Sequence, residues 1–276
     1  PRAPALRRSS ALNQRAMRPR SPTKSLAQVG FIRPLLVLLM LACDVRAEQY
    51  RQQPASPDGI GKVILGREIA QVMGWQGAGW LERAERDKEE DSTKLIHALT
   101  LRTGMVVADI GAGTGYYSRR IAEQIGPTGK VYAVEIQPEM LEMIRKGAEL
   151  AGLKTIVPVQ GKSDSVPLPP ESADLALMVD VYHELAFPRE ILAGIIQSLR
   201  PDGRVVFVEY RAEDPQVPIK PLHKMSETQI KQEAALHPEL VWERTDSSLP
   251  WQHVVIFRKQ PGIRDGDGSM RAIPID

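Results

Sequence analysis

The chain of 276 residues holds one cysteine, Cys43. A single thiol excludes a disulfide framework, a Cys-built zinc site and a cysteine-ligated iron–sulfur cluster. There is no strong charge excess either: 36 Lys+Arg against 34 Asp+Glu leave +2, which gives no reason to expect a nucleic-acid partner. The apolar run at 35–42 is far shorter than the roughly 18 residues a bilayer span needs. No internal repeat is visible. What remains, 42% hydrophobic and 25% charged residues, is the composition of a globular protein with a real core.

The small net charge hides an asymmetry. Residues 1–47 carry nine Lys/Arg and one acid, so the leader is +8 and the rest of the chain −6. A basic stretch, the run 35–42 and then Val45-Arg46-Ala47 predict a secretory signal cleaved after Ala47, and an exported or periplasmic protein. Read from Met17, its basic region has an ordinary length. Met40-Leu41-Ala42-Cys43 offers a second processing route, a lipid anchor on Cys43, against Cys43 as one more small apolar residue of the run. The alternative location is the cytoplasm.

Beyond the leader, residues 48–104 read as a linker followed by helices. Ile64, Leu65, Ile69, Val72 and Met73 recur at helical spacing, and Asp91-Ser92 caps a helix carrying Leu95, Ile96 and Leu99. From 105 to 259 the texture changes. Strands are predicted at Met105–Ile110, Val131–Ile136, Thr155–Val159, Ala173–Val179 and Arg204–Tyr210, alternating with helices. They are apolar on both faces, as in a parallel sheet covered by helices on both sides. Ser226 caps a further helix, and Leu240–Thr245 and His253–Arg258 close the sheet. The fold class is α/β: a Rossmann-like doubly wound sheet of five parallel strands plus a closing antiparallel pair, with an N-terminal helical lid. Residues 260–276 read as a disordered tail.

The first of these strands runs into Asp109-Ile110-Gly111-Ala112-Gly113-Thr114-Gly115 and then a helix. Glycines at a strand-to-helix turn let backbone approach a ligand, and the helix start offers unpaired N–H groups. Glu135 ends the next strand, 20 residues past Gly115, where a carboxylate can accept both hydroxyls of a ribose. The dinucleotide fingerprint would need glycine at Tyr116, and no Gly-Lys-Ser/Thr follows.

Asp109–Gly115, Glu135 and the turn Leu199-Arg200-Pro201-Asp202-Gly203-Arg204 resemble the class I S-adenosylmethionine-dependent methyltransferases over residues 105–258. More narrowly, residues 66–90, Asp180–Leu185 and Pro218–Met225 are similar to a bacterial group of signal-bearing methyltransferase-domain proteins. The resemblance implies S-adenosyl-L-methionine as donor and S-adenosyl-L-homocysteine as product. It implies that Gly111, Ala112, Gly113 and Gly115 pass under the methionine and ribose parts. Asp109 would lie near the donor's amino group, Glu135 on the ribose hydroxyls with Ile136 beside it, and Asp164 near the adenine amine.

Side chains just past the fourth strand face the ligand end of such a sheet. His183 is the candidate general base, or a histidine that caps the next helix or bonds a carbonyl. Asp180 is a candidate both for catalysis and for orienting the donor's amino group, or a strand-end turn residue. Tyr182 reads as packing over the donor, and Glu184 as a helix-start acid or a catalyst. Glu209, with Tyr210 and Arg211, would line the acceptor side or simply end a strand in solvent. His223 and Lys224 are weaker candidates. Trp75 and Trp80 read as hydrophobic anchors of the N-terminal helices, with an aromatic lid as the alternative. No metal is required. Strand four lacks an Asn/Asp-Pro-Pro-Tyr/Phe ending, a single cysteine weighs against Cys-based methylation of a base or of arsenic, and the acidic body has no basic stripe. A small-molecule methyl acceptor is therefore expected, with methyl transfer by in-line displacement. The alternatives are a non-catalytic nucleoside-binding module and, opposed by Tyr116, a nicotinamide-dependent oxidoreductase.

Overall fold

Short β-branched and apolar runs between helix-forming segments build a seven-stranded sheet in the computed structural model. It describes residues 50–261 and the backbone of the pairing Ile263–Arg264 with Met270–Arg271, which falls in the segment expected to be a disordered tail. The leader and Cys43 lie outside the described residues. Among the described residues, no helix is long and apolar enough to cross a membrane.

The strands are β4 (Val106–Ile110), β5 (Lys130–Glu135), β6 (Ile156–Gln160), β7 (Ala173–Val179), β8 (Leu199–Tyr210), β9 (Leu240–Asp246) and β10 (Gln252–Lys259). Three more strands, β1 (Arg51–Gln52), β2 (Gly59–Ile64) and β3 (Arg67–Ala70), precede them and form a separate sheet. The large sheet has the order β6-β5-β4-β7-β8-β10-β9, parallel through β8 and antiparallel where β10 joins β8 and β9. Alternation along each strand splits the core. Val107, Leu175 and Leu177 pack under α4 (Tyr116–Ile125) and α5 (Pro138–Leu150). Ala108, Ala176 and Met178 pack under α6 (Pro188–Ser198) and α7 (Glu227–Ala234). Both α5 and α6 start with proline, whose missing N–H costs nothing at that position. Ser226 caps α7 by accepting from the Gln229 amide at 3.1 Å.

The chain starts at β4, winds outward through β5 and β6, then returns to β7 on the other side. Connections leave the carboxyl ends of β4 and β7 in opposite directions, so a crevice opens there. That switch point places the loops after Ile110 and Val179 opposite each other.

The N-terminal region departs from the expected helix. Residues 59–70 form a hairpin, β2 (Gly59–Ile64) and β3 (Arg67–Ala70), joined to β1 (Arg51–Gln52). Its two-residue turn, Leu65-Gly66, has φ of 45° and 88°. Paired left-handed residues are what a tight hairpin needs. Gly59, Gly61 and Gly66 also weigh against a helix, and Val63, Ile64, Ile69 and Ala70 bury as strand residues instead. Helices appear only later, as α1 (Ala78–Leu81), α2 (Arg86–Glu90) and α3 (Ser92–Ala98), the last capped by Asp91 accepting from the Lys94 amide.

Candidate active site

The glycine loop folds back over the end of β5, with the Gly111 and Ala112 amides donating to the Val134 carbonyl at 2.8 and 3.0 Å. Gly113 has φ of 56°, and a Cβ there would come within 2.7 Å of Leu81 Cδ1. Its amide donates to Glu135 Oε2 at 2.9 Å, while the Ile136 and Gln137 amides donate to Oε1 at 2.7 and 2.9 Å. Glu135 thus ties the loop to the start of α5. Burial raises its pKa, and the three amides only partly oppose that. Gly111, Gly113, Glu135 and Ile136 line a cavity of about 620 Å3 at the switch point. Ala112 and Gly115 shape the loop without lining it.

Two expected donor contacts are placed elsewhere. Asp164 is exposed and off the cavity; the backbone after Gly161 turns Lys162, Ser163 and Ser165 toward it instead. Asp109 is buried behind the loop, accepting from Ser118 Oγ at 2.5 Å, and does not line the cavity. Burial pushes its carboxyl up to about 6, against the lowering effects of Ser118 and Arg86. Between pH 4 and 6 the folded chain therefore holds a proton that the unfolded chain releases, and stability falls as pH rises through that window. Asp109→Asn is expected to add about 1–3 kcal/mol at pH 7.5 and almost nothing at pH 3.5, read by urea unfolding at both. Equal effects at the two pH values would mean that Asp109 is ionised at little cost.

Across the crevice, Asp180 lines the cavity from a left-handed backbone, φ 50°. Gln252 Nε2 donates to its Oδ2 at 2.8 Å, and its buried Oδ1 has no protein partner. Burial, then the nearby Glu90 and Glu209 carboxylates, hold its pKa well above the usual range. Sequence reading missed the neighbours that complete this end of the cavity, Arg86 and Glu90 on α2. Glu90 accepts from Arg86 Nε and Arg83 at 2.8 Å each, from Tyr210 at 3.0 Å and from Tyr117 at 3.3 Å. Burial pushes the Glu90 carboxyl up, and the two guanidiniums outweigh that and hold it low. The i,i+4 spacing of Arg86 and Glu90 was the one local signal.

His183 is not placed as a free base. It is buried and off the cavity, with Nδ1 2.6 Å from Glu209 Oε2 and Nε2 3.1 Å from His223 Nδ1. Burial would lower its pKa, but Glu209 and Glu184 raise it to about 10, so at neutral pH it already carries its proton. Glu209 is fully buried and accepts from the Tyr182 amide at 2.9 Å. It positions the turn 182–184 rather than lining the acceptor side. Glu184 and His223 do line the cavity. Tyr182 is buried against Phe207, ring centroids 4.9 Å apart, below the sheet end and off the cavity. Tyr210 lines the cavity, whereas Arg211 bonds the carbonyls of Leu249, Pro250 and Gln252, and Lys224 those of Asp214 and Val217.

Residues 71–82 strap the mouth. Gln137 bonds both the Trp75 amide and the Met73 carbonyl, and Glu82 bonds Thr114 and Arg119. Trp75 and Trp80 are 39% and 49% exposed and so do not anchor a core. Trp80 lines the cavity, with the Arg83 guanidinium 3.7 Å from its ring centroid.

Residues 101–254, more than half of the chain, match the family described as methyltransferase domain. The chain is 34% identical over 111 residues to the protein-L-isoaspartate O-methyltransferase of Methanothrix thermoacetophila, covering 39% of this chain and 49% of that one. It is 29% identical over 111 residues to the ubiquinone/menaquinone biosynthesis C-methyltransferase of Pseudomonas savastanoi pv. phaseolicola, 40% of this chain and 43% of that one. The chain thus spans about half the length of these curated relatives. A SAM dependent methyltransferase from Aquifex aeolicus has the same fold, with TM-score 0.64 at 22% identity, over 68% of this chain and all of that one. With the strand order, the switch-point cavity and the family match in agreement, the chain belongs to the methyltransferase-domain family, whose methyl donor is S-adenosyl-L-methionine.

Proposed function

We propose that the protein methylates a small-molecule acceptor held in the switch-point cavity. The unpartnered buried Oδ1 of Asp180 carries this reading. Beside it stands Glu90, whose own oxygens are taken by Arg86, Arg83, Tyr210 and Tyr117, so burial leaves Asp180 in need of a cationic or donating partner. An ammonium group, as on the methionine part of the donor, answers that need. At the opposite wall Glu135 is held by three backbone amides and still faces the cavity, which suits ribose hydroxyls. The residues therefore fit S-adenosyl-L-methionine. When bound, it supplies a methyl group already activated on a sulfonium sulfur.

The chain's own part is positioning. Glu135 and Asp180 would hold the ribose and ammonium groups of the donor, and so orient it in the cavity. Met73, Trp80 and Leu81 on the strap line the cavity. Ile219, Lys220 and His223 line the side left for the acceptor. A strapped, mostly apolar cavity of about 620 Å3, within the usual range of roughly 300–1,000 Å3 for ligand pockets, supports a small acceptor rather than a polymer.

The test is calorimetric titration of Asp180→Asn, which keeps the left-handed backbone and removes the charge. Affinity for S-adenosylhomocysteine is expected to fall about 10–100-fold, the worth of a hydrogen bond to a charged group. Affinity for methylthioadenosine, which has no ammonium, should stay within about twofold of wild type. Equal weakening of both ligands would remove Asp180 from the ammonium site.

A further inference from the structure

Two segments distant in sequence bring three ligand atoms together beside the cavity. His183 and Glu184 lie on the turn Tyr182–Glu184 that follows β7, and His223 on the turn Pro221–His223 after the proline-rich loop. His183 Nε2, His223 Nδ1 and Glu184 Oε1 form a triangle with sides of 3.1, 3.4 and 3.7 Å. A tetrahedral ion with bonds of about 2.0–2.2 Å sets its ligands about 3.3–3.6 Å apart. The three sides average 3.4 Å, within that range, with the His183–His223 side shorter and the His183–Glu184 side longer.

The outer contacts match as well. The other ring nitrogen of His183 is 2.6 Å from Glu209 Oε2, and that of His223 is 3.2 Å from Asp58 Oδ2. Glu184 Oε2 accepts from the Met73 amide at 3.1 Å, and Glu209 Oε1 from the Tyr182 amide. Each histidine thus has a carboxylate on its far side, the arrangement that fixes the tautomer and leaves the near nitrogen bare for a metal. With both far nitrogens donating and the near ones deprotonated, three lone pairs are available to an ion. A single proton can bridge two of them, and a cation can satisfy all three.

We propose that His183, His223 and Glu184 bind one divalent transition-metal ion of the zinc type, with Glu209 and Asp58 as its outer carboxylates. Two imidazoles and one carboxylate are a borderline donor set, suited to zinc or ferrous iron rather than to calcium or magnesium. Glu184 and His223 line the cavity, so the ion's open position faces it. There it would take a lone-pair atom of the methyl acceptor, a hydroxyl, thiol or amine. That use rests on the methyl-transfer reading, whereas metal binding does not. No spacing motif announces the site, because only residues 183 and 184 are neighbours and the third ligand comes from beyond β8.

The experiment is zinc titration of the chelator-stripped full chain against a chromophoric competitor, with His223→Ala and Asp58→Asn alongside. Both residues are partly exposed and lie on surface turns, so circular dichroism should match wild type. One zinc per chain is expected, weakened at least 100-fold in His223→Ala and about 10–100-fold in Asp58→Asn. Cobalt in place of zinc should show the visible bands of a four-coordinate site, absent from His223→Ala. Zinc binding of equal strength in His223→Ala, or none by folded wild type, overturns the proposal. S-adenosylhomocysteine titrated in parallel separates the two readings. Zinc without nucleoside binding removes the methyl-transfer reading and keeps the metal, and the reverse result removes the metal.

Discussion

Glu90→Ala is expected to cost about 3–5 kcal/mol of unfolding free energy, the largest loss from any single side chain in the site. Glu90 is 1% exposed and is the shared acceptor for Arg86, Arg83, Tyr210 and Tyr117. Removing it leaves the Arg86 guanidinium, 4% exposed, beside tyrosine rings with the Leu81 carbonyl as its hydrogen-bond partner. An uncompensated buried charge costs far more than the pair contributes net. For the same reason, Arg86→Met combined with Glu90→Leu should lose less than Glu90→Ala alone. Urea midpoints of the three proteins check this. A loss below about 1 kcal/mol for Glu90→Ala would mean that water reaches Arg86 and solvates it.

Glu135→Ala should weaken S-adenosylhomocysteine binding at least 100-fold, about 3 kcal/mol. Two losses combine. The contacts of Glu135 to the ligand go, and the Gly113, Ile136 and Gln137 amides lose the carboxylate that aligns the glycine loop with α5. Glu135→Gln is not expected to rescue it. If the Gln oxygen serves Ile136 and Gln137, its NH2 meets the Gly113 N–H, donor against donor. Calorimetry on both variants is decisive. Wild-type affinity in either would take Glu135 out of the donor site, and no binding by folded wild type would favour a fold without a working nucleoside pocket.

The large sheet was legible in sequence because its central strands bury both faces. Each of the five parallel strands reads as a short apolar run, and Gly111, Gly113 and Gly115 interrupt the pattern where the backbone must turn left-handed. Residues 59–70 were misread because Ile64, Leu65, Ile69 and Val72 satisfy helical spacing. The deciding signal was conformational: Leu65-Gly66 closes a hairpin, and three glycines disfavour the helix. Trp75 and Trp80 read as anchors of the N-terminal helices, with a lid as the alternative, and the strap that carries them is held by the Gln137 and Glu82 side chains.

The sequence by itself determined the fold class, the glycine loop and the carboxylate that serves it, because these depend on local backbone freedom and on strand periodicity. Tertiary structure alone decided which polar groups act. His183 and Glu209 lie 26 residues apart, and their pairing at 2.6 Å turns a candidate base into a protonated or ligating imidazole. Asp58 and His223 meet across the fold to complete the same cluster, and Glu90 reaches Tyr210 across 120 residues. The charge state of a side chain follows from its burial and its partners. Those are set by which loops the sheet brings to one end, and no stretch of sequence contains them.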